Sequence, residues 1–159
     1  MGADSKLDLT ADVTHLVVGD VRTAKYKYVS KERPDIKVLH QDWVEAMRQA
    51  WRADEEIDIQ AYDEKYRLPT FYGLTICITG FDTLDDRKAI GDAATAQGAE
   101  FSGDLTKKVT HLIVAKPQGA KYNAALQWGV AVVSLKWFED SRRRGMALDE
   151  TLYLSLIHI

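Results

Sequence analysis

The chain contains itself twice, and any fold proposed for it must use the same unit two times. Val13-Thr14-His15-Leu16-Val17-Val18 returns as Val109-Thr110-His111-Leu112-Ile113-Val114, an offset of 96 residues (109 − 13). In the same ungapped register Gly2-Ala3 meets Gly98-Ala99, Asp8-Leu9-Thr10 meets Asp104-Leu105-Thr106, and Ala24-Lys25-Tyr26 meets Ala120-Lys121-Tyr122. Trp43 and Glu45 then match Trp137 and Glu139 at an offset of 94 (137 − 43), which reads as a loss of two residues from the first copy just before its last strand. Self-similarity at a fixed spacing marks a chain built by reusing one supersecondary unit.

With 159 residues, 46% of them hydrophobic and 28% charged, the chain can bury a core and has room for one domain or two small ones. Its net charge of -3 argues against a protein whose main task is neutralising a nucleic-acid backbone, since that affinity grows with the number of Lys and Arg contacts. The one cysteine, Cys77, rules out an intramolecular disulfide and a Cys-based zinc site; within Ile76-Cys77-Ile78 it reads as a small buried hydrophobe. No stretch approaches the roughly 20 apolar residues of a membrane-spanning helix, and no membrane partner is expected.

In the second copy, residues 74–79 form a short apolar run of β type, 84–97 a helix-length segment, and Gly98 its stop. Strands near 100–102 and at 111–114 follow, then a helix over 120–128, a strand over 130–133 and a final helix. That helix has Ser134 as N-cap, Arg142-Arg143-Arg144 in the closing turn where cations suit the dipole, and Gly145 beyond it. Strands alternating with helices predict an α/β fold with a parallel sheet covered on both faces. Between the copies, residues 52–73 carry Asp54, Glu55, Glu56, Asp58, Asp63 and Glu64 and then Leu68-Pro69-Thr70, a polar linker with one short helical turn.

The order β-α-β-β-α-β-α, the Thr-Gly after the first strand, the repeated Val-Thr-His-Leu strand and the Trp of the last helix together resemble the BRCT domain. Tyr66-Arg67-Leu68-Pro69-Thr70-Phe71 and Ile78-Thr79-Gly80-Phe81 are similar to the first BRCT pair of the topoisomerase II-binding protein family, in its fungal replication-initiation and checkpoint members. The resemblance implies a four-stranded parallel sheet of order 2-1-3-4 flanked by helices. It also implies a nuclear, non-catalytic scaffold without cofactors, whose partners are phosphorylated replication-initiation and checkpoint proteins. The expected organisation is a truncated copy over 1–51, the linker 52–73, a complete domain over 74–153 and an atypical apolar tail over 154–159, read as an artificial chain end or a docking tail. The first copy's counterparts of residues 74–97 would precede Gly2, so its opening strand, an interior one in the family order, and its first helix are expected to be missing. The segment 6–10 should then be disordered or moved into the vacancy.

The same resemblance points to a phosphate site in the second copy, with the Thr79 hydroxyl and Gly80 N–H as donors and the Lys121 ammonium as the opposing charge. A phosphoryl group of charge near -1.5 to -2 needs such fixed donors. Thr79-Gly80 leaves a strand into a turn, where free N–H groups gather, and Lys121 opens a helix. Arg87, with Lys88 beside it, follows Asp85-Asp86 in a first helical turn and is the fourth candidate, or else an ion-pair partner of those acids. In the first copy Lys25 occupies the position of Lys121, with Thr23 two residues before it, a remnant from which only a salt-sensitive contact is expected.

The remaining notable side chains read as scaffold. Trp43 and Trp137 are expected core anchors, and Trp43, Val44, Met47 and Trp51 are spaced as one apolar helical face. His15 and His111, each after a threonine, read as hydrogen-bonded structural residues, and no metal site is expected. An enzyme reading finds neither Gly-x-x-x-x-Gly-Lys nor Gly-x-Gly-x-x-Gly. The alternative to a phosphopeptide reader is a phosphate-independent interaction module, or a weak DNA-end binder using Lys107, Lys108, Lys116 and Lys121.

Overall fold

The computed structural model of the chain describes residues 3–153, so the expected tail at 154–159 lies outside the described residues. The chain divides into two units, Met1–Leu68 and Pro69–Ile159.

The first unit runs β1 (His15–Val18), α1 (Ala24–Glu32), β2 (Lys37–His40), α2 (Asp42–Arg52) and α3 (Ile59–Lys65). β1 and β2 pair in parallel, His15 opposite Lys37 and Val18 opposite His40. The Thr23 hydroxyl caps α1 by accepting from the Tyr26 N–H at 3.3 Å. Arg33, at its far end, donates to the carbonyls of Thr10 and Val13 at 3.1 and 3.2 Å and to Asp35 at 2.8 Å. Residues 6–10 have not moved into the expected strand position. They form no strand, and polar ties hold them instead: Lys6 pairs with Asp12 at 2.5 Å, and the Leu7 carbonyl accepts from Lys25.

The stretch 52–73 holds more structure than its polar sequence suggested. The division between units falls inside it, after Leu68, and α3 belongs to the first unit through Asp63, whose side chain is 5% exposed. That carboxylate accepts from His15 Nε2 at 3.0 Å, Lys37 Nζ at 3.1 Å and Trp43 Nε1 at 3.0 Å, so one acid from α3 ties β1, β2 and α2 together. Burial works to raise the Asp63 carboxyl, but hydrogen bonds from His15 and Lys37 outweigh it and hold it below the ordinary carboxylate value. A depressed folded value means stabilisation that is complete above the unfolded value of about 4 and is lost as pH falls through the folded one. Asp63→Asn is therefore expected to destabilise the first unit by about 1 to 3 kcal/mol at neutral pH. The gap from wild type should narrow in acid; urea unfolding at pH 7 and at pH 3 checks this, and an equal gap at both would refute it.

Trp51 does not join the helical core face expected of it. It is 56% exposed at the end of α2, whereas Met47 and Ala50 are buried, because the inward stripe of the helix has rotated past it by its last turn.

The second unit runs β3 (Thr75–Thr79), α4 (Leu84–Ala96), β4 (Glu100–Phe101), β5 (His111–Val114), α5 (Ala120–Trp128), β6 (Ala131–Ser134) and α6 (Leu135–Arg144), then a 3-10 turn, Glu150–Tyr153. Its strands are all parallel in the order β4-β3-β5-β6, which counted within the unit is second, first, third, fourth. β1 and β5, and likewise α1 and α5, stand 96 residues apart; β2 and β6 stand 94 apart. The two-residue difference is an insertion in the first copy, not the loss read from the sequence. Residues 33–36 join α1 to β2, while residues 129–130 suffice from α5 to β6. Gly129, in the left-handed region at φ 71°, reverses the chain at once, whereas Arg33-Pro34-Asp35-Ile36 needs a longer path because proline cannot continue the helix.

Side chains alternate across the sheet as the period of a strand requires. Cys77, Leu112, Val114 and Val132 turn to the face covered by α5, where Tyr122 and Ala125 pack on them. On the other face His111 and the buried Ile113 and Val133 lie towards α6, where Trp137 stacks on His111 with ring centroids 4.9 Å apart. Burial raises the Cys77 thiol, as expected of a core residue. The closing 3-10 turn is clasped by Glu150 on His111 at 2.5 Å and by Tyr153 on Asp140 at 2.8 Å; burial and that carboxylate push the Tyr153 phenol up to about 12.

Candidate functional site

Thr79, Gly80, Arg87 and Lys121 come from three different elements and line one cavity of about 380 Å³, together with Ile78, Phe101, Gly103 and Ala120. β3 delivers Thr79 at its carboxyl end and on the α5 side of the sheet, in register with Val114. The Thr79 hydroxyl has no hydrogen-bond partner among the described residues. Strand pairing stops at Thr79, so the Gly80 N–H falls outside the ladder. Gly80 has φ 85°, a left-handed conformation suited to glycine, and a Cβ there would come within 3.2 Å of Ala115 Cβ.

Lys121 is the second residue of α5, whose N-cap is Gly119 with no side-chain hydrogen bond, so the first amides of the helix keep their partial positive charge. Its Nζ donates to the carbonyls of Gly103 at 2.8 Å and Ile78 at 3.3 Å. Both partners are neutral, so they orient the ammonium without cancelling its charge. Arg87 forms no ion pair with Asp85 or Asp86; its Nε donates to the Phe81 carbonyl at 2.7 Å, which leaves the terminal guanidinium nitrogens for other use. Thr83 caps α4 by accepting from the Asp86 N–H at 3.1 Å, and Lys88 does not line the cavity.

The other sequence candidates lie elsewhere. In the first unit the Thr23 hydroxyl serves as the cap of α1 and Lys25 lies on the Leu7 carbonyl. Of Lys107, Lys108, Lys116 and Lys121, only Lys121 lines the cavity. Thr110, His111 and Glu150 stand in the order hydroxyl, imidazole, carboxylate, at 2.8 and 2.5 Å, but Thr110 Oγ1 is also bonded to the Thr75 N–H and carbonyl at 3.0 and 3.1 Å. His111 is buried, and this set supports the fold rather than a reaction. Sequence reading missed Phe101 and Gly103 in the cavity wall. The repeat gave no signal for either, since their counterparts in the first copy are Ser5 and Leu7.

A small parallel sheet whose central strand ends in a hydroxyl and a bare amide, with an ammonium facing them, defines an α/β interaction module with one donor-lined hollow. A family model described as twin BRCT domain matches residues 74–137. The S-M checkpoint control protein rad4 of Schizosaccharomyces pombe is 37% identical over 149 residues, covering 94% of this chain and 23% of that protein, so the chain spans about a quarter of its length. Crystal structures of Rad4 BRCT1,2 with a Crb2 phosphopeptide and with an Mdb1 phosphopeptide each superpose with a TM-score of 0.89 at 36% identity, covering 93% of this chain and 81% of that one. The chain belongs to the BRCT family, whose domains are generally non-catalytic protein-interaction modules.

Proposed function

We propose that the second unit is a non-catalytic reader of phosphorylated Ser/Thr peptides, with the phosphoryl group seated between the Thr79 hydroxyl, the Gly80 N–H and the Lys121 ammonium, and Arg87 reaching it from α4. The observation that carries this reading is the convergence of those four residues on one hollow, with the Thr79 hydroxyl unpartnered among the described residues and the Lys121 nitrogen oriented by the carbonyls of Gly103 and Ile78 and the Cys77 thiol. A phosphoryl group supplies the acceptors that this donor set lacks, and charge-assisted bonds to it are about twice as strong as neutral ones. The uncapped N-terminus of α5 adds a favourable field for an anion. The Rad4 pair with its Crb2 and Mdb1 phosphopeptides supports the same ligand chemistry. The partners are accordingly phosphorylated checkpoint and replication-initiation proteins, and the site of action is the nucleus.

The test titrates the full chain with the Crb2 phosphopeptide, the same peptide unphosphorylated, and blunt duplex DNA. Binding of the first alone is the expected result. Equal affinity for both peptides would establish a phosphate-independent module, and preference for DNA an end-binding one. Thr79→Ala is expected to weaken the phosphopeptide by about 1 to 3 kcal/mol, the range for one hydrogen bond to a charged group, with no change in thermal midpoint. Isothermal calorimetry alongside a melting curve reads both quantities, and full retention of affinity would remove Thr79 from the site.

A further inference from the structure

We propose that Ser102 is a positioning residue for the phosphate-binding lysine, acting through the loop 102–104. This rests on the phosphopeptide reading of the same cavity.

A lysine on a flexible four-carbon stem samples many rotamers, and ordering it at the moment of binding weakens affinity. Lys121 is ordered beforehand: the Gly103 and Ile78 carbonyls accept from its ammonium at 2.8 and 3.3 Å, and the Cys77 thiol is a further, neutral hydrogen-bond partner. The Ile78 carbonyl belongs to a sheet strand and cannot wander. The Gly103 carbonyl belongs to a loop just past the two-residue edge strand β4, outside the sheet ladder. Two bonds made by Ser102 fix its direction. Its N–H donates to the Ile76 carbonyl at 2.9 Å, which fastens the loop to β3, and its hydroxyl donates to the Asp104 carbonyl at 2.7 Å, closing the loop around Gly103. Gly103 has no atom within 4 Å of where a Cβ would stand, so side-chain packing does not hold it.

The repeat supplies an independent instance of the contact. Leu7 stands 96 residues before Gly103 and Lys25 stands 96 before Lys121, and Lys25 Nζ donates to the Leu7 carbonyl. Two copies with different side chains at this loop position, leucine and glycine, keep the same lysine-to-carbonyl bond. Each copy ties the loop by its own side-chain bond at the residue before the carbonyl: Lys6 pairs with Asp12 in the first copy, and the Ser102 hydroxyl donates to the Asp104 carbonyl in the second.

The experiment uses the full chain with the Crb2 phosphopeptide as probe and reads the Lys121 ammonium directly by nitrogen-15 NMR of the free protein. In wild type the ammonium protons are expected to exchange slowly enough to be seen; in Ser102→Ala the signal should broaden away, and in Ser102→Thr, which keeps the hydroxyl, it should persist. Ser102→Ala should weaken the phosphopeptide by about three- to tenfold, the effect of one lost neutral hydrogen bond, with an unchanged melting temperature. Ser102→Thr should restore affinity, and Ser102→Ala should have no further effect when Lys121→Met is already present. An unchanged ammonium signal in Ser102→Ala, or an equal loss of affinity with and without Lys121, would overturn the proposal. If the ammonium responds as expected while wild type ignores the phosphate on the peptide, the positioning stands and the phosphopeptide reading falls.

Discussion

Lys121→Glu is expected to abolish phosphopeptide binding, with a loss of about 2 to 5 kcal/mol, the range for breaking one partner of a desolvated charge pair. The substitution removes the cation opposite Thr79 and Gly80 and places a like charge against the incoming phosphoryl group. The fold should survive it. Lys121 loses two bonds to carbonyls, at 2.8 and 3.3 Å, each worth about 1 kcal/mol net. Against that loss, α5 has no acidic residue in its first turn and no side-chain cap, and a carboxylate there is favoured by about 0.3 to 1 kcal/mol. The melting temperature should consequently change little while affinity disappears. Lys121→Met, which keeps the stem and removes only the charge, should fall between the two, at about 1.5 to 3 kcal/mol. Anisotropy titrations with phosphorylated and unphosphorylated peptide measure all three, and undiminished affinity in the glutamate variant would remove the site from this cavity.

What could be read in advance follows from what a repeat encodes. An offset shared by two copies reports backbone periodicity, so β5, α5 and their counterparts β1 and α1 emerged at the expected places, and the hydroxyl, glycine and lysine of the hollow could be located on strand end and helix start. The two-residue slip was given the wrong sign, although the fall in offset from 96 to 94 already makes the first copy the longer: Lys25 to Trp43 spans 18 positions (43 − 25) and Lys121 to Trp137 only 16 (137 − 121). Contacts made by different means in the two copies were invisible. His15 finds its carboxylate in Asp63, 48 residues on, and His111 finds Glu150, 39 residues on. No shared spacing links those acids, and Asp63 lies in a stretch whose composition reads as solvated. The contact between Lys121 and the Gly103 carbonyl was hidden for another reason: backbone acceptors carry no sequence signal at all.

The two tryptophans matched by the repeat illustrate how one position can differ in energetic weight. Trp137 is fully buried, with its ring 4.9 Å from His111 and 5.6 Å from Phe71, and its Nε1 donates to the Leu148 carbonyl at 2.8 Å. Phe71 in turn stacks on Phe138 at 5.1 Å, so the indole closes an aromatic layer between α6 and the sheet. Trp43 occupies the matching place in α2, 5.6 Å from His15, but it is only half-buried and its Nε1 meets Asp63 instead of a backbone carbonyl. Trp137→Ala is expected to destabilise the second unit by about 3 to 5 kcal/mol, from lost apolar burial plus the cavity left behind. A domain whose total stability is about 5 to 15 kcal/mol would then lie near its unfolding threshold at physiological temperature. Trp43→Ala removes less buried area and should cost less, with its effect confined to the first unit. Because the chain has two units, hydrogen exchange resolved by residue is the fitting measurement, since one global melting curve would merge them. Protection should collapse across β3, β5 and β6 in the Trp137 variant and persist in β1 and β2. A Trp43 variant that is equally or more destabilised would show that shared sequence position, and not burial, sets the contribution of these rings.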